Sequence, residues 1–191
     1  SPPGLSLGVE YWRLRGSEAS ARPRAIRELQ ALERAYPNNP FLLQALARLL
    51  FAADRDNEAL AALQRVGRIQ GMQSLAAQSE WNYLVSQPAD ARSVARLAQF
   101  IARYPTWTRI DDVRALHAEH QRKMANPAWR SGREGLRLLD AGRNAEAERA
   151  FRHALRGFPG EADFIGGLGM ALMRQGQRAQ ALALFGKAAR A

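Results

Sequence analysis

The sequence predicts an all-α solenoid of stacked helix pairs, and three observations carry that expectation. The first is self-similarity. Gly135 recurs as Gly169, Gly142 as Gly176, Ala147 as Ala181, Phe151 as Phe185 and Ala154 as Ala188, each step being 34 residues. The second is composition. The 191-residue chain is 47% hydrophobic and only 8% aromatic, rich in Ala, Leu and Arg and poor in β-branched residues, a mixture that suits helices better than sheets. The third is that small residues recur where two helices of a pair would cross, with Phe filling the layer beside them.

A period of 34 residues is that of the tetratricopeptide repeat, a helix–turn–helix unit whose stacked copies form a right-handed superhelix. In this frame Ala128 and Ala162 each take position 1, Gly takes position 8, Ala positions 20 and 27, and Phe position 24. Gly142 and Gly176 fall where the first helix of each unit ends, a place that favours a left-handed residue. Carried backwards, the frame aligns Pro37, Gly71 and Pro105 at position 32, and Ala25 with Ala59 at position 20. The first unit then runs from about Ser6, with Val9, Trp12 and Leu14 on one helix and Ala25, Ile26, Leu29 and Leu32 on the next. The second opens on Asn39-Pro40, a cap followed by Pro at the first helical position. The third is degenerate, because Trp81 replaces a small residue and Pro88 stands in the turn.

Beyond Trp107 the frame slips by 20 residues, room for one helix but not two. Ile110, Val113, Leu116, His120 and Met124 mark a single apolar stripe there, and Asn126-Pro127 starts the following helix. The expected layout is therefore five helix pairs plus one unpaired helix. Residues 1–107 form one repeat block of three pairs, 108–127 the inserted helix, and 128–191 a second block of two strong repeats, truncated at the C-terminus. The start on Ser-Pro-Pro-Gly and the stop inside the last repeat read as a piece of something longer. The last helix, with Leu182, Phe185 and Ala188, should offer an uncapped edge through which the chain self-associates.

Charge and chemistry narrow the function. The net charge is +10, and Lys123 and Lys187 are the only lysines, so the basicity is almost all Arg. Placement matters more than the sum. The positions that line the concave groove of such a solenoid include Arg48 and Arg174 as bases, against Glu10, Glu18, Asp140 and Asp163. A phosphate-binding groove would be the reverse, so nucleic acid is not an expected partner. There is no Cys, and no apolar run reaches the roughly 20 residues that span a bilayer as a helix. His117, Glu119 and His120 suggest a metal helix, but the histidines stand at i, i+3 and the sequence identifies no third ligand. Gly166-Gly167-Leu168-Gly169 has Leu172 where a dinucleotide loop needs its third glycine, and no strand precedes it. No catalytic residue, cofactor or metal site is assigned, and no enzyme is expected. Candidate groove contacts are Glu10, Phe41, Gln44, Arg48, Gln78, Asn82, Trp129, Asp140, Asp163 and Arg174.

Several stretches are more specific than the repeat. Gly8-Val9-Glu10-Tyr11-Trp12 opens the first unit, Arg24-Ala25-Ile26 leads into its second helix, and Leu49-Leu50-Phe51-Ala52-Ala53-Asp54-Arg55 closes the next helix. With Pro127-Ala128-Trp129 and the glycines at 166–169, they resemble the periplasmic repeat region of cellulose synthase operon protein C, the export subunit of bacterial cellulose secretion. The resemblance implies a non-catalytic periplasmic scaffold, in a protein anchored by an outer-membrane barrel that this chain lacks. Its implied partners are proteins of the synthase complex, with nascent β-1,4-glucan or peptidoglycan as further ligands. The rival reading is a cytosolic peptide-binding adaptor built on the same repeats.

Overall fold

The computed structural model describes residues 3–189, and eleven α-helices account for most of them. They are α1 (Pro3–Arg15), α2 (Arg22–Ala35), α3 (Pro40–Ala52), α4 (Asp56–Gly67), α5 (Gln73–Leu84), α6 (Ala91–Arg103), α7 (Ile110–Ala125), α8 (Pro127–Asp140), α9 (Asn144–Gly157), α10 (Ala162–Arg174) and α11 (Arg178–Ala188). The described residues contain no strand. The chain is an all-α tetratricopeptide-repeat fold.

Local chemistry sets the helix ends. The Asn39 side chain accepts from the Leu42 amide, and Asn126 accepts from Ala128, each with Pro at the next position. Three first helices stop in the same way. The Arg55, Arg143 and Gln177 amides each donate 2.9 Å back to the carbonyl five residues earlier, at Leu50, Leu138 and Leu172. This closing bond needs a left-handed residue just before the donor. Gly142 (φ 74°) and Gly176 (φ 78°) supply it in the last two units, and Asp54 (φ 57°) supplies it in the second.

The helices gather into two compact units. Unit 1 is Ser1–Gln87 with Gln99–Val113, and unit 2 is Pro88–Ala98 with Arg114–Ala191. In unit 1, Leu42, Leu43, Leu46, Leu49 and Leu50 of α3 are buried with Ile26 and Leu29 of α2 and with Leu60, Leu63 and Val66 of α4. The degenerate unit compensates with aromatics. Trp81 is buried with its ring centroid 6.3 Å from Trp107, and Phe100 makes edge contacts with Trp107 and Tyr104. A large side chain at position 8 is therefore accommodated by other rings and not by a small partner. Beside it, both oxygens of the buried Glu80 carboxylate accept from Arg103 Nη1, at 2.7 and 2.9 Å.

Unit 2 takes its first segment, Pro88–Ala98, through buried polar anchors. Trp129 Nε1 donates to the Ala89 carbonyl at 2.7 Å, and Ser93 Oγ lies 2.8 Å from His120 Nδ1. Asp90 and Ser93 cap each other's amides at the start of α6. The apolar core of this unit rests on glycines facing rings. A Cβ on Gly135 would stand 2.9 Å from Phe151, one on Gly167 would stand 2.3 Å from it, and one on Gly132 would stand 2.3 Å from Phe164. Ala147, Ala154 and Ala181, at the other crossing positions, are completely buried. Gly169 faces Phe185 at 2.1 Å in the same sense, and the Ala188 side chain lies outside the described residues.

The repeated Gly–Phe contact predicts an inequality. Phe151 is fully buried, so Gly135→Leu should cost about 1–3 kcal/mol through overpacking. Phe185 is 37% exposed and can swing aside, so Gly169→Leu should cost less. Equal losses in chemical denaturation would show that side-chain freedom does not govern the crossing. In unit 1, burial is the leading influence on Glu80 and raises its pKa, outweighing the lowering by Arg103. A folded pKa above the unfolded value gives stability that is full below the unfolded pKa and lost as pH rises through the folded one. Arg103→Ala removes the partner and should cost about 3 kcal/mol near neutral pH, because it strands a buried charge. Much of that loss should return on acidification, as the stranded Glu80 carboxylate takes up a proton, so a pH-independent loss would refute this account.

Candidate ligand groove

The first helices α1, α3 and α5 carry the candidate site, all in unit 1. Phe41, Gln44, Arg48 and Phe51 follow one another at i, i+3, i+7 and i+10, so α3 presents them as a single stripe. α1 contributes Ser6, Glu10 and Arg13 at i, i+4 and i+7. The first cavity, about 630 Å³, is lined by these α1 residues with Phe41, Gln44 and Arg48. A second, about 350 Å³, is lined by Gln44, Arg48, Phe51, Ser79, Asn82, Tyr83 and Ser86. Gln44 and Arg48 belong to both, so one trough runs along α3.

Its polar groups are held in place. Gln44 Nε2 donates to Ser79 Oγ at 3.0 Å, and that hydroxyl donates to the Leu75 carbonyl at 2.9 Å. Gln78 Nε2 donates to Asn82 Oδ1 at 2.7 Å. Phe51 stacks on Tyr83 with centroids 4.1 Å apart and planes at 17°, while the Tyr83 hydroxyl donates to Asp56. The Glu10 carboxylate accepts from Arg13 Nε at 2.8 Å, and hydrogen bonding to that guanidinium, with smaller coulombic help from Arg13 and Arg48, lowers its pKa. Among the described residues no hydrogen bond or ion pair occupies the exposed Arg48 guanidinium. Phe41 at one end is 66% exposed.

Six of the ten residues expected in a groove thus converge in unit 1: Glu10, Phe41, Gln44, Arg48 and Asn82 on the trough, and Gln78 bonded to its rim. The other four belong to unit 2 and do not line this trough. Asp140, Asp163 and Arg174 are exposed, and Arg174 donates to the Leu139 carbonyl at 2.8 Å. Trp129 is a correction. It is 4% exposed, packs against Phe158 and Phe164 at about 5 Å and spends its indole N–H on Ala89, so it is a core anchor and no groove contact. Arg13, Ser79 and Tyr83 were not among the expected residues. The i, i+3 spacing of Glu10 and Arg13 was a legible signal for the first, whereas Ser79 and Tyr83 reach the trough only through the packing of α5 beside α3.

Of the two histidines, His120 resolves into packing. His120 is buried against Ser93, and burial, the largest influence, lowers its pKa below the usual imidazole value. Glu119 pairs with Lys123 at 2.9 Å. Among the described residues no three His, Cys, Asp or Glu side chains gather as a metal set. No helix there is long and apolar enough to cross a membrane. At the other end of the chain, Leu182 and Phe185 are exposed, and a cavity of about 640 Å³ lies against Leu155, Ile165, Leu184 and Phe185.

Comparison with known proteins agrees with this architecture. The tetratricopeptide repeat family matches residues 138–191. Cellulose synthase operon protein C of Escherichia coli (strain K12) is 29% identical over 188 residues, covering 98% of this chain and 16% of that protein. The Salmonella typhimurium protein of the same name is 30% identical over 165 residues, covering 86% of this chain and 14% of its own length. Among solved structures, the flexible tandem repeat domain of the C component of bacterial cellulose synthase superposes with a TM-score of 0.55 at 32% identity, over 63% of this chain and 49% of that one. The chain spans about a sixth of the length of the curated relatives it matches. It is a tetratricopeptide-repeat chain, homologous along nearly its whole length to a segment of cellulose synthase operon protein C.

Proposed function

We propose that this chain is a non-catalytic scaffold segment of an exopolysaccharide export protein, working in the periplasm between the cellulose synthase and the outer membrane. The observation that carries the reading is similarity to operon protein C over 98% of the chain, joined to a fold whose described surface offers a trough and helix faces for docking. Proteins of the synthase complex dock on the exposed helix faces, and nascent β-1,4-glucan passes along the concave side. The arrangement of side chains favours binding over chemistry. The buried acid and imidazole, Glu80 and His120, are each committed to a structural partner, Arg103 and Ser93. In the trough, Glu10 is paired to Arg13 and its pKa is lowered, which makes it a poor proton donor near neutrality.

The test is made in the full-length protein. Replacing these residues by a flexible linker should reduce secreted polymer to background while the synthase still polymerises its sugar donor in isolated membranes. Export at the wild-type level would refute the scaffold role. A segment that resists external protease until the outer membrane is permeabilised would support the compartment, and a cytosolic location would overturn it.

A further inference from the structure

We infer that the trough along α3 is a binding subsite for an uncharged, extended oligosaccharide chain. The inference rests on the export reading for its biological setting, but the chemistry comes from the trough itself.

Phe41 and Phe51 stand ten residues apart on one face of α3, which separates the two rings by about 15 Å along the helix. Between them lie the Gln44 amide and the Arg48 guanidinium, with Asn82 across from them on α5. A sugar ring has a flat C–H face and an edge of hydroxyls. An exposed aromatic suits the first, and planar amide or guanidinium groups, which offer paired donors and acceptors, suit the second. The internal hydrogen bonds leave the relevant valences open. Gln44 spends its N–H on Ser79 and retains its carbonyl oxygen, while Asn82 accepts from Gln78 and retains its amide N–H groups. Arg48 brings donors that no neighbour occupies among the described residues. Gln44 and Asn82 are ordered by their neighbours before any ligand arrives, which lowers the entropic cost of binding.

Charge and shape argue against the other ligand classes. The Glu10–Arg13 pair is self-neutralising, so Arg48 is the single uncompensated charge among the described residues that line the trough. An anionic polymer needs several. A peptide docking as an amphipathic helix needs a continuous exposed apolar face, yet the exposed Leu7, Tyr11 and Leu14 of α1 lie outside both cavities. The apolar lining beside Phe41 is the buried wall of Leu5, Val9 and Ala45. The trough continues past Gln44 from one cavity into the next, so it fits a chain and not a single sugar.

The experiment titrates the purified 191-residue chain with cellohexaose, maltohexaose and a neutral hexapeptide, following backbone amide resonances. Cellohexaose should shift amides of α1, α3 and α5, and Phe41→Ala should weaken it about tenfold. Phe41 is largely exposed, so the variant keeps its helical circular dichroism, and Leu7→Ala, at a still more exposed residue off the trough, should bind like wild type. The proposal is overturned by the absence of binding at millimolar sugar, by shifts confined to other helices, or by an unchanged affinity in the folded Phe41→Ala protein. Equal binding of the coiled maltohexaose would overturn the extended geometry, and preferential binding of the peptide at the same amides would overturn the ligand class. A chain that ignores all sugars while its full-length parent still needs it for export would sink this site and leave the scaffold role standing.

Discussion

Close approach of helices at glycine, with an aromatic ring filling the gap, is the contact on which unit 2 depends. Phe151 of α9 sits between Gly135 of α8 and Gly167 of α10, and Phe164 of α10 occupies the notch at Gly132. Phe151 therefore does two jobs, closing its own pair and anchoring the next, while Phe164 ties α10 back to α8. Because a Cβ at any of these glycines would stand under 3 Å from ring atoms, helix spacing is set by the absence of a side chain. The same logic makes the fold repetitive: one small residue and one ring per unit are enough to specify the next layer.

Where the repeat loses this device, buried polar contacts take over. The third pair has Trp81 at the crossing position, and its neighbourhood is held by ring-on-ring packing with the Glu80–Arg103 ion pair alongside. The start of α6 is tied by the Trp129 indole, the Ser93–His120 contact and the Asp90–Ser93 cap. Such contacts are directional, and each buried group left without its partner costs more than the bond contributes. They specify one arrangement where apolar surface alone would accept several. Burial pushes Glu80 up and His120 down, and both shifts favour the neutral form.

The trough belongs to the more regular part of unit 1. α3 is apolar on the sides that face α2 and α4, and that leaves one stripe, Phe41, Gln44, Arg48 and Phe51, to meet solvent. A stack of helices thus presents a trough without any loop devoted to it. The first helices supply the floor, and the hydrogen bonds between Gln44 and Ser79 and between Gln78 and Asn82 hold its polar groups in place.

The sequence by itself determined the helices and several of their stops, because these depend on contacts within a few residues. Apolar spacing at 3.6 residues, Asn-Pro at two helix starts and Gly142 and Gly176 at two helix ends are local signals. The 34-residue register also pointed to Gly135 beside Phe151, since internal repetition reports a tertiary contact twice over, but it did not single out Gly167, which meets the same ring. Tertiary structure decided the rest. Trp129 at a nominal groove position turned inward because Ala89, 40 residues away, offered a carbonyl in an apolar pocket. Asp54 took the left-handed turn that the frame would give to glycine, a role a lone Asp in an Asp-Arg-Asp stretch does not announce. The trough was half legible: the α3 stripe shows in the residue spacing, but Tyr83 joins it only because α5 lies alongside α3. Direction of a side chain between helices is a property of packing, and no local pattern encodes it.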